Sequence, residues 1–310
     1  MKIKILISTS TFGQFDDTPL KMLKLAGLET ILNPYNRKLS EEESIELLKN
    51  VTGLIAGTEL LSKDVLKSSS SLKVISRCGA GLDNVDLEAT NELGIKVFFT
   101  PDGPTQAVAE LTVGLILNLL RGISMEDHLI RSNTWKKYMG NLLTGKTLGI
   151  LGLGRIGRKV VELTVPFSLN YLAWDSSPNQ EFAANYKVEF RELNEILKEA
   201  DIVTVHLPYS PELKNFISYE QIKLMKKDAF LINAARGGLV DEAALYKTLK
   251  EKRIAGAAID VFEQEPYQGP LKELDNVILT PHIGSYAKEA RIEMEIQAVK
   301  NLLQGLGLEC

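Results

Sequence analysis

The sequence predicts an α/β protein made of two parallel-sheet units, and three observations carry that prediction. The chain has 310 residues, about twice what one domain usually takes. Short β-rich apolar runs alternate with helical patterns, which implies strands joined by crossover helices into parallel sheets. The alternation breaks at a long apolar stretch, Pro104 to Leu120, and restarts at Thr147.

Each element follows from its residues. Ile3 to Ile7, Gly53 to Ala56, Lys73 to Ser76 and Ile95 to Phe98 predict the strands of the first unit. Ser40, with Glu43 three residues on, has the spacing of a capping box and opens a helix. Pro104 suits the first turn of a buried helix, so one boundary is placed near residue 100. The second unit takes strands at Thr147 to Leu151, Tyr171 to Trp174, Ile202 to Val205, Ala229 to Ile232, Gly256 to Ile259 and Val277 to Leu279. Ile292, Ile296, Val299 and Leu303 recur at helical spacing, predicting a last amphipathic helix that could pack on either sheet.

Composition excludes several functions. With 45% hydrophobic and 25% charged residues the chain is ordinary globular protein. Thirty-six basic against forty acidic residues give a net charge of -4, so no basic field is expected to hold nucleic acid or an anionic membrane. The apolar run in MKIKILISTS is too short for a signal-peptide core or a membrane span, which makes the cytoplasm the default location. Cys78 and Cys310 are the only thiols, matching a reducing compartment. The only histidines are His128, His206 and His282, and none is spaced with cysteine as a zinc site requires, so no metal is expected.

The segment from Leu148 to Val160 places Gly152, Gly154 and Gly157 as Gly-x-Gly-x-x-Gly between an apolar strand and a helix. Gly152 allows a tight turn, Gly154 lets backbone approach a pyrophosphate, and Gly157 lets the helix pack closely on the strand. Asp175 ends the next strand, where a carboxylate can accept from an adenosine ribose diol and repel the extra phosphate of NADP. NAD is therefore the expected cofactor. Hydride transfer at a carbon bearing oxygen also needs a cation for a carboxylate, a proton donor and a group to tune that donor. Arg236, Glu265 and His282 follow three successive predicted strands, at the ends where parallel sheets bind ligands.

These motifs together resemble the NAD-dependent D-isomer-specific 2-hydroxyacid dehydrogenases along essentially the whole chain. Segments Arg77 to Asp86, Ala107 to Thr112 and Leu142 to Gly157 are similar to those of the D-3-phosphoglycerate dehydrogenase-like branch. The resemblance implies two Rossmann-like domains, an NAD-binding domain (101–284) inserted in a discontinuous substrate domain (1–100 plus 285–310), with active sites in the cleft between them. Arg236 would then bind the substrate carboxylate and 2-oxygen, His282 would be the general acid/base, and Glu265 would hydrogen-bond His282. The cofactor would be lined by Gly152, Gly154, Arg155, Ile156, Gly157, Asp175, His206, Pro208, Ala234, Asp260 and His282, and the substrate by Arg77, Cys78, Gly79, Ala80 and Arg236. On their sequence context alone, His206, Cys78, Asp241 and Asp260 also suit structural roles.

The implied reaction interconverts a D-2-hydroxy acid and its 2-keto acid, with 3-phosphoglycerate one candidate and glyoxylate or hydroxypyruvate reduction an alternative. Phosphoglycerate dehydrogenases carry an arginine where Gly57 stands, and an Asn-Ala where Pro104-Thr105 stands, and both departures weigh against the phosphorylated substrate. Glu265 separates the chain from formate dehydrogenases, which use glutamine, and Ala80 from phosphite dehydrogenases, which use lysine. A chain ending at Cys310 is not expected to have feedback through a carboxyl-terminal regulatory domain. An NAD(H)-sensing corepressor of the same fold is the alternative from another class. Relatives dimerise through the helix at Pro104 and the Trp135 segment, so a homodimer is expected.

Overall fold

The computed structural model describes residues 3–309; Met1, Lys2 and Cys310 lie outside the described residues. The chain forms two units, Met1–Pro104 with Ser285–Cys310, and Thr105–Gly284.

In the first unit β1 (Lys4–Ile7), β2 (Glu29–Leu32), β3 (Gly53–Ala56), β4 (Val74–Arg77) and β5 (Lys96–Phe99) form one parallel sheet in the order β2-β1-β3-β4-β5. Helices α1 (Thr18–Leu25), α2 (Glu41–Leu47), α3 (Lys63–Lys67) and α4 (Leu87–Glu92) make the crossovers. Side chains alternate between the faces. Leu6, Leu54 and Ile75 join one core, while Ile5, Ile7, Ile55 and Val74 join the other. The capping box at Ser40 and Glu43 is formed as its spacing predicts.

In the second unit α5 (Gly103–Arg121) and α6 (Ile123–Arg131) precede the sheet. Its strands are β6 (Thr147–Leu151), β7 (Asn170–Trp174), β8 (Val188–Phe190), β9 (Ile202–Val205), β10 (Phe230–Asn233), β11 (Gly256–Ile259) and β12 (Val277–Leu279), ordered β12-β11-β10-β9-β6-β7-β8. The connecting helices are α7 (Arg155–Thr164), α8 (Gln180–Tyr186), α9 (Leu193–Glu199), α10 (Tyr219–Leu224) and α11 (Glu242–Lys250). Strands β9, β10 and β11 are buried at every residue, as central parallel strands covered on both faces must be.

The last helix, α12 (Lys288–Leu306), packs on β3, β4 and β5 of the first unit. Its buried stripe differs from the expected one. Met294, Ala298 and Leu302 reach the sheet, and Arg291 and Glu295 are buried with them, whereas Ile292 and Ile296 are only half-buried. The buried ion pair occupies the apolar face, so an apolar-only pattern finds the helix and misplaces its face by part of a turn. Two edge strands, β2 and β8, carry no sequence signal of their own; β2 is mostly exposed and lacks the apolar run of an inner strand. The fourth strand runs Val74–Arg77 rather than Lys73 to Ser76, because Gly53 to Ala56 pair with it residue for residue, and Arg77 is thereby set at the strand's end. Among the described residues no single helix is long and apolar enough to cross a membrane.

Candidate active site

The glycine turn forms where β6 passes into α7. Gly152 adopts φ +99°, in the left-handed region, and a Cβ there would lie 2.7 Å from the His206 carbonyl oxygen. A Cβ on Gly157 would lie 2.2 Å from the Gly152 oxygen, so only glycine lets the helix approach the strand. Gly154 is the opposite case: a Cβ there meets nothing within 4 Å. It also caps α7 without any side-chain hydrogen bond, leaving backbone donors and the positive helix end facing that open space. This cradle fits the pyrophosphate of a dinucleotide. Arg155 is exposed at its mouth and Ile156 half-buried behind it.

Asp175 lies beside the cradle. Its Oδ2 accepts from the Leu153 amide at 2.7 Å and its Oδ1 from the Ser177 amide at 2.8 Å. An ionised carboxylate has about four acceptor positions, so capacity remains for a diol. His206 backs the turn through its carbonyl, and its Nε2 lies 3.0 Å from Thr204 Oγ1, a partner two residues back on the same strand face. Burial pushes its imidazole down to about 4, so the ring is neutral near pH 7. Its Nδ1 is buried without a hydrogen-bond partner. Pro208 follows, exposed.

The three motif residues after β10, β11 and β12 come to one sheet edge because those strands are in parallel register, Asn233 with Ile259 and Ile259 with Leu279. Buried Asn233 shapes the first loop: its side chain accepts from the Ala235 amide at 3.1 Å and donates to the Arg236 carbonyl at 2.9 Å. Ala234 is buried between them, and the half-buried Arg236 guanidinium donates to the Ala235 carbonyl at 2.7 Å. A Cβ on Gly237 would lie 2.0 Å from the Phe262 oxygen, so glycine is what lets this loop press against the loop bearing Glu265.

His282 Nδ1 lies 3.1 and 3.0 Å from the two Glu265 carboxylate oxygens. With Nδ1 so engaged, Nε2 is the ring atom left to exchange a proton. Glu265 is itself held, accepting from the Phe262 amide at 3.1 Å. His282 has φ +55°, which costs a non-glycine residue about 1–2 kcal/mol. Asp260 offsets that cost. Its carboxylate accepts from Thr280 Oγ1 at 2.5 Å, Ile283 N at 2.8 Å and Gly284 N at 2.9 Å, while its carbonyl accepts from His282 N at 2.8 Å. Burial raises the Asp260 carboxyl against those bonds. Asn233, Thr280 and Gly237 shape these loops and are missed by sequence reasoning; the available signal is a polar residue, or a glycine, at the end of an apolar strand or in the loop after it.

The other expected substrate residues lie in the first unit, at the end of β4. Arg77 donates to the Cys78 carbonyl at 3.0 Å, and its guanidinium fills the space a Gly79 side chain would need. Gly79 donates to Thr100 Oγ1 at 2.7 Å, fixing the loop, and Ala80 is exposed. Cys78 is buried, and burial pushes its thiol up to about 11. Among the described residues no cluster of three or more His, Cys, Asp or Glu side chains could hold a metal ion.

The chain is similar to known proteins over most of its length. A D-3-phosphoglycerate dehydrogenase of Methanocaldococcus jannaschii is 43% identical over 276 residues, 86% of this chain and 52% of the relative; the chain thus spans about half that protein's length. A glyoxylate reductase of Pyrococcus horikoshii is 38% identical over 278 residues, 86% of this chain and 83% of the relative. The crystal structure of a Thermus thermophilus protein superposes with a TM-score of 0.89 at 35% identity, covering 99% of this chain and 98% of that one. Residues 113–284, which hold both the glycine cradle and the Arg236, Glu265 and His282 loops, match the model for the NAD binding domain of the D-isomer specific 2-hydroxyacid dehydrogenases, and the chain belongs to that family.

Proposed function

We propose that the chain is an NAD-dependent oxidoreductase interconverting a D-2-hydroxy acid and its 2-keto acid. The observation that carries the reading is the His282 to Glu265 pair, held at the same sheet edge as Arg236. When bound, the nicotinamide cofactor supplies or takes up the hydride. The chain's own part is to bind and to move a proton. Arg236, through its planar fork, holds the substrate carboxylate and polarises the 2-oxygen. His282 gives a proton from Nε2 to that oxygen during reduction and takes one back during oxidation. Glu265 fixes the ring through Nδ1. Gly152, Gly154, Arg155, Ile156 and Gly157 hold the pyrophosphate, Asp175 the ribose, and His206, Pro208, Ala234 and Asp260 shape the walls around them. Residues 105–284 serve as the cofactor-binding domain, and the other unit, with Arg77 to Ala80, as the substrate-binding domain.

Glyoxylate or hydroxypyruvate reduction is favoured over 3-phosphoglycerate oxidation by one observation: Gly57 stands where phosphoglycerate dehydrogenases carry an arginine. A homodimer is supported by the large exposed apolar residues clustered on α6 and the segment after it, Ile123, Ile130, Trp135, Met139 and Leu142. Two cysteines in 310 residues support a cytoplasmic location. The test is NADH consumption with a panel of 2-keto acids. Turnover of at least one is expected; NADH binding with no turnover would favour an NAD(H)-sensing corepressor instead.

A further inference from the structure

The strand order β2-β1-β3-β4-β5 reverses between β1 and β3, and in open parallel sheets the crevice beyond the strand ends at such a point is where ligands bind. In the first unit that crevice already contains a carboxyl group of the chain's own. Glu59, 2% exposed, turns its carboxylate back into the strand ends. The Gly57 amide donates to both of its oxygens, at 3.2 and 3.1 Å, and the Ser8 hydroxyl at the end of β1 donates to Oε1. Asn84 anchors the turn from outside, donating to the Glu59 carbonyl at 2.6 Å. Burial raises the Glu59 carboxyl above its ordinary value; the hydrogen bonds from Ser8 and Gly57 and, least of all, the charge of Arg77 at the end of neighbouring β4 act against it. The Gly57 amide and the Ser8 hydroxyl, two donors that could bind an incoming anion, are thus engaged by Glu59. Thr9, beside Gly57, has a buried neutral hydroxyl without a hydrogen-bond partner.

We propose that Glu59 is a specificity-determining residue: it fills the anion position of the substrate unit and restricts the chain to 2-keto acids whose distal end carries no phosphate. The inference rests on the dehydrogenase reading above. Glu59 touches no reacting atom, so it acts through Gly57, Ser8 and Arg77. A phosphate brought toward the strand ends meets a like charge and finds its hydrogen bonds taken, whereas a hydrogen atom or a hydroxymethyl group meets neither obstacle.

The test compares kcat/KM with NADH for glyoxylate, hydroxypyruvate and 3-phosphohydroxypyruvate, in the unmodified protein and in Glu59→Gln. The unmodified protein should prefer an unphosphorylated acid by at least about tenfold, and removing the charge should narrow that ratio by about tenfold, since about 1.4 kcal/mol of differential binding corresponds to that factor. A ratio unchanged by Glu59→Gln, or a preference of the unmodified protein for the phosphorylated acid, overturns the proposal. The second outcome decides even if the variant does not fold. NADH binding without reduction of any keto acid would instead strike the dehydrogenase reading, and the specificity claim with it.

Discussion

The two sheets place the same feature, the end of their first strand at the point where strand order reverses, under opposite chemistry. Beyond β6 the chain offers Gly154, with open space where a side chain would be and an uncapped helix end beside it. Beyond β1 it offers Ser8, and the space is filled by the carboxylate of Glu59 bonded to the Gly57 amide. One edge leaves its backbone donors facing open space and the other engages them with a carboxyl group of its own. The fold provides two topologically equivalent crevices, and a few side chains give them different chemistry.

The largest expected effect falls on the chemical step at the seven-stranded sheet. His282→Ala should lower kcat about a hundredfold to ten-thousandfold, because a positioned acid/base contributes that much, while NADH fluorescence titration shows binding intact. A smaller fall would remove His282 from proton transfer. The next effect separates the two crevices directly. Gly154→Val places side-chain atoms in the open cradle and should weaken NADH binding by about tenfold or more, the equivalent of losing one to two charge-assisted hydrogen bonds. Gly57→Ala, in the other sheet, should leave the NADH dissociation constant unchanged.

Most of this architecture is legible in the sequence, and the reasons differ by element. Strands β3, β6, β9 and β11 have their expected bounds, because central parallel strands are continuous apolar runs with polar ends. The glycine turn is legible because φ +99° and a 2.2 Å approach leave no alternative residue type. The clamp around Asp260 and the plug at Glu59 are not, since a buried acid has no periodicity, and its partners, Thr280 and Gly284 in one case and Ser8 and Gly57 in the other, meet it only through the fold. The face of α12 is displaced for the same reason: Arg291 and Glu295 read as surface residues and are buried as a pair.

Cofactor choice gives a smaller effect. NADH should be preferred to NADPH, and Asp175→Ala should narrow the preference by about tenfold, since hydrogen bonds to a charged acceptor are worth about 1.5–3 kcal/mol. Equal use of both cofactors by the unmodified protein would remove the ribose role from Asp175.

The smallest effect concerns stability. The folded His206 titrates near 4 and the unfolded residue at its ordinary 6.5, so between those values the unfolded chain binds the extra proton. Stability contributed by this residue is therefore complete above 6.5 and declines as pH falls toward 4, at no more than about 1.4 kcal/mol per pH unit. His206→Asn should flatten that part of the urea-denaturation profile; an identical slope would show that the ring is not held neutral.

The central claim, that His282 passes a proton to and from the substrate oxygen, is tested most directly by kcat/KM against pH in both directions of one reaction. Reduction needs the ring protonated when the keto acid binds and oxidation needs it neutral. The account predicts that reduction falls and oxidation rises with pH through one shared midpoint, and that both limbs vanish in His282→Ala. Profiles that move in the same direction, or that keep their shape without His282, would contradict it.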